Sequence, residues 1–216
     1  MTLQQLQTML VMQDKMNSVI NPKWKTQGWD FSAAILVEAG ELIKHIGWKW
    51  WKKQDANIEQ AKIELVDIWH FGMSHMISTE TLIDAEYITR QLNREEFIVS
   101  TDFNQAIVLA KLLVSKLETE GEFCMYAFRQ IMYKLDMSTD ELYQLYVAKN
   151  ALNHFRQANG YKTGDYYKIW NGEEDNVVMM AELKELDACS PDLYDDLQAR
   201  LQHVYKDLAE NNLLSN

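Results

Sequence analysis

Four carboxylates occupy unusual positions in the sequence, because each is surrounded by aliphatic and aromatic residues. Glu38 and Glu41 are three residues apart in AAILVEAGELI, and Glu64 and Asp67 are three residues apart in KIELVDIWHF. On a helix, residues three apart share one face. Burying unpaired carboxylates costs so much free energy that such groups would protonate instead. Both pairs are therefore expected to have a neutralising partner.

A divalent cation is the partner that best suits these residues. Carboxylate oxygens without His or Cys at matching spacing favour Mg²⁺, with Mn²⁺ as a substitute. One such pair is common on a solvated helix face, but two pairs on successive apolar helices indicate a metal site. The alternatives are a charged surface stripe, or neutralisation by basic residues from elsewhere in the fold. His70 follows Asp67 by three, as in di-iron bundles, but the second E-x-x-H is missing. Packing or support of a neighbouring ligand is the role that the sequence favours for His70.

A second group of residues combines cations with a loop rich in Gly and Tyr. Lys149, Asn153 and Arg156 fall on one helix face in KNALNHFRQANGYKTGDYYKIW. Cations beside such a loop are typical of a phosphate clamp that closes on its substrate. A solvated helix face followed by a surface loop is the alternative. The candidate substrate contacts are Lys149, Asn153, Arg156, Tyr161, Lys168 and Asn176.

Two amides and three tryptophans could recognise a base. Gln13 and Asn17 lie on the apolar stripe of the first predicted helix, and an amide can pair with the edge of a base such as uracil. Hydrogen bonding to a neighbouring helix is the alternative that spacing favours. Trp48, Trp50 and Trp51 offer surfaces on which a base can stack. We also expect that at least one of the three packs in the core.

Long helices must position these residues. The chain has 216 residues with only 8 Gly and 2 Pro, which disfavours an all-β fold. Capping residues and apolar periodicity predict helices at about 3–20, 32–46, 58–77, 103–118, 123–134, 139–158, 177–186 and 191–208, with a short helix within 80–100. No segment has a clear period of two. We predict an all-α helical bundle in a single domain over residues 1–216, with a central four-helix metal-binding core and a mobile phosphate-binding segment.

Charge and cysteine content narrow the partners and the compartment. The formal net charge is -11, which disfavours nucleic-acid binding because that needs a positive surface. Two cysteines cannot form a disulfide framework, which favours a reducing cytoplasm. The first ten residues have neither the basic stretch nor the apolar run of a signal peptide or membrane anchor. The expected protein is cytoplasmic, with no membrane partner.

Three segments together resemble a known family. EAGELIKHIGWKWWK, IELVDIWHF and KNALNHFRQANGYKTGDYYKIWNGEEDN are similar to the dimeric dUTPases, which share the all-α nucleoside triphosphate pyrophosphatase superfamily with MazG-type proteins. The resemblance extends from the region of Gln13 to about Val178. The paired carboxylate motifs alone indicate only the superfamily. The pattern K-N-x-L-N-x-F-R-Q-x-N-G-Y-K points to dUTPases in particular.

The resemblance implies a reaction and a set of roles. It implies a homodimer that splits dUTP to dUMP and pyrophosphate by attack at the β-phosphorus, accepts dUDP, and so cleans the nucleotide pool and supplies dUMP. It implies uracil recognition by Gln13 and Asn17 and a base contact from Trp51. It implies sugar and phosphate contacts from the six candidates of the third segment. The implied Mg²⁺ ligands are Glu38, Glu41, Glu64 and Asp67.

These residue types predict a reaction in which Mg²⁺ assists the attack of water on the triphosphate. Glu38 or Glu41 would orient or deprotonate the water, and the cations would stabilise charge on the phosphates. Three other functions compete with this one. A MazG-like pyrophosphatase of broader specificity would use the same carboxylates without uracil-specific amides. A di-iron oxidoreductase would hold iron, and a non-catalytic helical module would bind no nucleotide.

Overall fold

The structure is a computed structural model, and it describes residues 1–80, 84–94, 103–187 and 190–215. These residues form nine α-helices and three short β-strands, so the predicted all-α fold class is confirmed. The helices are α1 (Leu3–Ile20), α2 (Phe31–His45), α3 (Ile58–Ser78), α4 (Ala85–Asn93), α5 (Phe103–Glu120), α6 (Met125–Lys134), α7 (Thr139–Ala158), α8 (Asp175–Lys184) and α9 (Leu193–Glu210). The strands are β1 (Ile169–Trp170), β2 (Glu173–Glu174) and β3 (Leu214–Ser215). No helix in the described ranges has the length and apolarity needed to cross a membrane.

Side-chain caps set the beginnings of the first three helices. The Thr2 hydroxyl accepts a hydrogen bond from the Gln5 amide at 3.1 Å, and the Gln5 side chain accepts one from the Thr2 amide at 2.7 Å. This reciprocal capping box satisfies two backbone donors that the helix itself leaves unpaired. The Asn57 side chain accepts from the Gln60 amide at the beginning of α3, and Asp30 caps α2 in the same way. The predicted beginnings of α1, α2 and α3 are confirmed to within one residue.

Ser138 and Glu141 have the spacing of a capping box, which predicts the beginning of α7. The Glu141 amide donates to the Ser138 hydroxyl at 3.0 Å, as expected for a cap. The Glu141 carboxylate instead accepts a hydrogen bond from Lys62 at 2.7 Å. Only 16% of the Lys62 side chain is exposed in this pair. Asp102, the predicted cap of α5, lies outside the described residues.

The chain divides into two compact units, unit 1 (Met1–Tyr143) and unit 2 (Gln144–Asn216). The predicted single domain over 1–216 stays a prediction. In unit 1, α2 packs against α3 and α5, and α1 packs against α3 and α4. Trp69 of α3 stacks on Phe128 with ring centroids 5.0 Å apart. Gly72 leaves room for Phe123, because a Cβ at that position would lie 2.3 Å from the phenyl ring.

Helix α2 has two different faces. Its sequence is apolar nearly all round, which predicts a central helix that is buried on every side. One face is buried, with Ile35 and Leu42 fully covered, but the other exposes 52% of Leu36 and 57% of Val37. The expectation of burial on every side is therefore wrong for this chain by itself. An apolar sequence does not reveal which of its faces another part of the same chain covers.

Unit 2 contains a small sheet that the sequence analysis did not predict. Strand β1 pairs antiparallel with β2 and with β3. Asn171 and Gly172 connect β1 to β2 with φ angles of 51° and 86°, the left-handed pair that a two-residue hairpin turn requires. Strands of two residues are too short to display a period of two, so only the Asn-Gly turn carried a signal. An aromatic cluster forms the core of this unit: Phe155, Tyr166, Trp170 and Tyr205.

Candidate functional site

Three carboxylates of unit 1 converge from two helices. Glu38 and Glu41 lie on α2 and Glu64 lies on α3, and one carboxylate oxygen of each lies within 4.8 Å of the other two. The packing of α2 against α3 brings them together. Exposure differs across this carboxylate group, because Glu64 is buried, Glu38 is half-buried and Glu41 is exposed. The group is thus open to solvent on the side of Glu41.

Asp67, the fourth predicted metal ligand, does not belong to the carboxylate group. It is half-buried on α3, three residues after Glu64, and so lies toward the same side of the helix. A histidine that the sequence analysis did not assign lies beside the group, since His45 Nε2 is 3.5 Å from Glu64 Oε1. Among the described residues, the structure therefore brings together three of the four predicted ligands. They come from α2 and α3, the two successive helices on which the sequence analysis placed the paired carboxylates.

The donor set of the carboxylate group fits a hard divalent cation. Like charges within 4.8 Å of one another repel, and a bound cation would offset that repulsion. All three donors are carboxylate oxygens, which suit Mg²⁺ or Mn²⁺ better than a soft metal. Mg²⁺ usually binds through few carboxylates and keeps water and substrate oxygens in its shell. A group that is open on one side meets that requirement.

His70 contacts the first helix. Its Nδ1 lies 2.7 Å from Oε1 of Gln13, and both side chains are buried. Because an amide oxygen can only accept, this nitrogen carries the proton and donates. The metal-binding group found in the described part of the chain contains carboxylates and not His70. The supporting role that the sequence favoured for His70 agrees with this contact, whereas a di-iron site would need His70 among the ligands.

The two predicted base-reading amides form one buried network with α3. Gln13 Nε2 donates to Asn17 Oδ1 at 3.1 Å and to Ser74 Oγ at 2.9 Å. Asn17 Nδ2 donates to the same Ser74 oxygen at 2.9 Å. Ser74 in turn donates to the backbone oxygen of His70 at 2.8 Å. Bonding to a neighbouring helix, the alternative that spacing favoured, is therefore present. Recognition of a base by these amides stays a prediction.

The tryptophan segment is exposed. Trp48, Trp50 and Trp51 expose 40%, 89% and 56% of their surfaces. The Trp51 ring meets the other two edge to face, with centroids 5.1 and 5.4 Å away. The expectation that at least one of the three packs in the core is wrong. Because the indole faces stay accessible to solvent, a base could stack on them.

A buried ion pair dominates the cationic residues of unit 2. Arg156 donates to both oxygens of Asp175, from Nε and from Nη2, each at 2.8 Å. The Tyr166 hydroxyl donates to the same carboxylate at 2.8 Å. Burial by itself raises the pKa of Asp175, but the bonds and charge of Arg156, with smaller contributions from Tyr166 and Lys149, outweigh it and hold that pKa below its ordinary value. Asp175 is thus an ionised, fully buried partner of Arg156.

Lys149 and Asn176 form the second part of this cation cluster, which we define as Lys149, Arg156, Asp175 and Asn176. Lys149 Nζ donates to Asn176 Oδ1 at 2.8 Å, and Arg156 Nη2 lies 3.4 Å from the same oxygen. Lys149 is 2% exposed and Arg156 is 9% exposed. Both predicted phosphate ligands therefore already bond to side chains of their own unit.

The remaining predicted substrate contacts lie at the edge of this cluster. Asn153 accepts a hydrogen bond from Arg156 Nη1 at 3.2 Å. The Arg156 guanidinium lies 5.7 Å from the ring of Tyr161, which is 47% exposed. Lys168 is 3.9 Å from Glu174, and about half of its side chain is exposed. Lys168 is therefore a far more accessible cation than Lys149 or Arg156.

Comparison with known proteins identifies a family for this chain. A family model described as dUTPase matches residues 5–161. The chain belongs to the all-α dUTPase family. The dUTPase family places it among the hydrolases of the nucleotide pyrophosphatase type, with a nucleotide as substrate. No curated protein matches the chain.

The dUTPase match covers both amides, all four predicted metal ligands, Trp51 and the whole of α7. It ends at Tyr161, so Lys168, Asp175 and Asn176 lie beyond it. The carboxylate group is therefore inside the region that defines the family. Two members of the cation cluster, Asp175 and Asn176, belong to the segment that follows the match.

Sequence reasoning missed four polar side chains that the structure brings to these groups. They are His45, Ser74, Tyr166 and Asp175. Ser74 follows His70 by four and so lies on the same face of α3, which was a readable signal. Asp175 directly precedes a residue that was predicted, but its partner Arg156 is 19 positions away. Pairing over that separation depends on the fold and not on local spacing.

Proposed function

We propose that this dUTPase-family protein hydrolyses dUTP to dUMP and pyrophosphate with the help of Mg²⁺. The observation that carries the proposal is the convergence of Glu38, Glu41 and Glu64 within 4.8 Å in a chain of this family. Such a group can hold the divalent cation that accompanies a triphosphate. We extend the proposal to dUDP, which would give dUMP and phosphate. The reaction would remove dUTP from the nucleotide pool.

In this proposal Glu38, Glu41 and Glu64 hold Mg²⁺, and Asp67 is the fourth ligand. When bound, the cation supplies Lewis-acid chemistry, because it neutralises negative charge on phosphate oxygens and makes water more acidic. Glu38 or Glu41 accepts the proton of the attacking water. The exposure of Glu41 lets water reach that side of the group.

We assign recognition of the uracil base to Gln13, Asn17 and Trp51. The amides supply donors and acceptors, and the exposed indole supplies a stacking face. We assign sugar and phosphate contacts to residues of unit 2. Lys168 is more accessible than Lys149 or Arg156, and Tyr161 supplies an exposed ring. These contacts are Lys149, Asn153, Arg156, Tyr161, Lys168 and Asn176.

The test is pyrophosphate release from dUTP with and without Mg²⁺, beside dTTP, dCTP and UTP. We expect fast release from dUTP that requires Mg²⁺, and slow release from the other three. Similar rates on several nucleotides would replace this proposal with a pyrophosphatase of broad specificity. No release from any of them would overturn the enzymatic proposal. Release that persists after removal of all divalent cations would overturn the role of the carboxylate group.

We also propose that the protein is a homodimer in solution. Leu36 and Val37 support this, because two adjacent aliphatic side chains on α2 each expose more than half of their surface. Burial of such a face against a second copy would remove that apolar area from water. Sedimentation should give a dimer for the wild-type protein and a monomer for Leu36→Glu. A wild-type monomer would contradict the proposal.

A further inference from the structure

The Ser74 hydroxyl uses all of its hydrogen-bonding capacity inside the amide network. A serine hydroxyl has one proton to donate and two lone pairs that accept. The proton goes to the backbone oxygen of His70 at 2.8 Å, and the lone pairs accept from Gln13 and Asn17, both at 2.9 Å. Ser74 itself is fully buried. It therefore acts toward both amides as an acceptor only.

An acceptor at this position fixes which way each amide points. Gln13 and Asn17 must turn their NH₂ groups toward Ser74, because an amide oxygen there would face the lone pairs of the hydroxyl. His70 holds Gln13 in the same orientation from the other end, since its Nδ1 donates to Oε1 at 2.7 Å. Asn17 Oδ1 then accepts from Gln13 Nε2 at 3.1 Å. The network thus permits one amide orientation at each residue.

Asn17 keeps part of its hydrogen-bonding capacity available for a ligand. Gln13 uses both of its N–H groups on Asn17 and Ser74. Asn17 uses one N–H on Ser74, and its second N–H has no acceptor among the described residues. Its oxygen accepts one bond and retains a second lone pair. Asn17 is 6% exposed whereas Ser74 is not exposed at all. A ligand would therefore meet the amide of Asn17 and not the hydroxyl behind it.

The order of donor and acceptor on a fixed amide distinguishes uracil from cytosine. Uracil presents an N–H at position 3 next to a carbonyl at position 4. Cytosine presents a lone pair at position 3 next to an amino group at position 4. An amide that pairs with one base must rotate by 180° to pair with the other. An amide free to rotate would accept both bases, and an amide with a fixed orientation accepts one.

We propose that Ser74 is a positioning residue for substrate specificity, because it fixes the Asn17 amide in the orientation that suits uracil and not cytosine. This inference rests on the proposed dUTP hydrolysis. Ser74 does not touch the base in this scheme. It acts through Asn17, with Gln13 and His70 completing the network.

The test compares kcat/KM for dUTP and dCTP in the wild-type protein, Ser74→Ala and Ser74→Cys. Alanine removes the acceptor, and cysteine fills the site with a slightly larger side chain that is a much weaker acceptor. We expect the dUTP to dCTP ratio to fall about tenfold in both variants, which corresponds to the loss of about one hydrogen bond. The matched control is Ser78→Ala. Ser78 lies one turn further along α3 and makes the same kind of bond to a backbone oxygen, that of His75 at 3.0 Å, outside the network.

A second readout does not depend on turnover. Calorimetric titration with dUMP and dCMP in the absence of Mg²⁺ measures base preference alone, and we expect the same fall in both Ser74 variants. Equal losses of affinity for dUMP and dCMP would mean that Ser74 only supports the fold, and would overturn the inference. An unchanged ratio in Ser74→Ala would also overturn it, while dUTP turnover by the wild-type protein would leave the proposed function intact. A wild-type protein that does not hydrolyse dUTP would overturn both.

Discussion

The carboxylate group of unit 1 and the cation cluster of unit 2 carry opposite charges and satisfy them in different ways. In unit 2, Asp175 accepts two hydrogen bonds from Arg156, each at 2.8 Å, so the charge is compensated within the chain. In unit 1, three carboxylates lie within 4.8 Å of one another. The paired charges of Arg156 and Asp175 therefore stabilise the folded chain. In unit 1, His45 Nε2 lies 3.5 Å from Glu64, and the proposed function adds a bound cation to the compensation of these charges.

The largest expected effect is the loss of the buried carboxylate in unit 2. Asp175→Asn leaves the Arg156 guanidinium buried without its charge partner. Removal of one partner of a buried ion pair typically costs about 3 to 5 kcal/mol. We expect the free energy of unfolding, measured with urea, to fall by that amount. The loss would occur with or without Mg²⁺.

An exposed ion pair of the same unit provides the control. Arg200 lies 3.0 Å from Glu182, and both side chains are partly exposed. Glu182→Gln should cost less than about 1 kcal/mol, because solvent screens such a pair. Similar effects of Asp175→Asn and Glu182→Gln would contradict the view that burial makes the Asp175 pair structural.

The second prediction concerns the carboxylate group. A ligand that binds only the folded state stabilises it by about 2.7 kcal/mol at one hundred times its dissociation constant. We expect Mg²⁺ or Mn²⁺ to raise the unfolding temperature of the wild-type protein in this way. Glu64→Gln should abolish the rise, because it removes the buried member of the group. Differential scanning fluorimetry over a series of cation concentrations measures both.

Glu59→Gln is the matched control for this prediction. Glu59 lies on the same helix, is exposed, and belongs to the first turn of α3, away from the group. Glu59→Gln removes the same charge as Glu64→Gln but leaves the carboxylate group intact. The rise in unfolding temperature with Mg²⁺ should therefore persist in this variant. Persistence of the rise in Glu64→Gln as well as in Glu59→Gln would mean that Mg²⁺ screens the negative net charge in general and does not bind at the group.

The two groups show which parts of the molecule the sequence could predict. The boundaries of α1 and α3 depend on caps and apolar stripes that are local in sequence, and both were predicted. The convergence of Glu38, Glu41 and Glu64 also followed from local patterns. Two helices that bury apolar faces against each other bring polar residues on neighbouring faces close together. The absence of Asp67 from the described group depends on distances that spacing does not contain.

Pairing and exposure across the fold were not predictable in the same way. The neighbours of Arg156 in sequence suggested a phosphate ligand, but its bidentate partner Asp175 comes from the beginning of α8. The exposure of Trp50 could not be read from composition, since tryptophan is usually buried. The strands were missed because two residues are too few for a pattern. Local rules predicted the elements, and the contacts between elements decided the rest.

The third prediction is a dependence of stability on pH that belongs to unit 2. The folded pKa of Asp175 is below its ordinary value of 3.8, so the unfolded chain takes up this proton at a higher pH than the folded one. The stabilisation is fully present above the ordinary pKa and is lost as the pH falls through the folded value. Urea unfolding between pH 7 and pH 3 should show the wild-type advantage over Asp175→Asn shrinking below about pH 4. A difference that stays constant over this range would contradict the lowered pKa.

The smallest expected effect on stability separates the cations of unit 2 from one another. Lys168 lies 3.9 Å from Glu174, and about half of each side chain is exposed. Glu174→Gln should therefore change the free energy of unfolding by less than about 1 kcal/mol. Since Lys168 is not committed to a buried partner, Lys168→Ala should leave stability unchanged and raise the KM for dUTP. Steady-state kinetics beside urea unfolding would test both expectations.

A loss of stability in Lys168→Ala as large as that in Asp175→Asn would place Lys168 with the structural charges of unit 2. An unchanged KM would remove it from the proposed phosphate contacts.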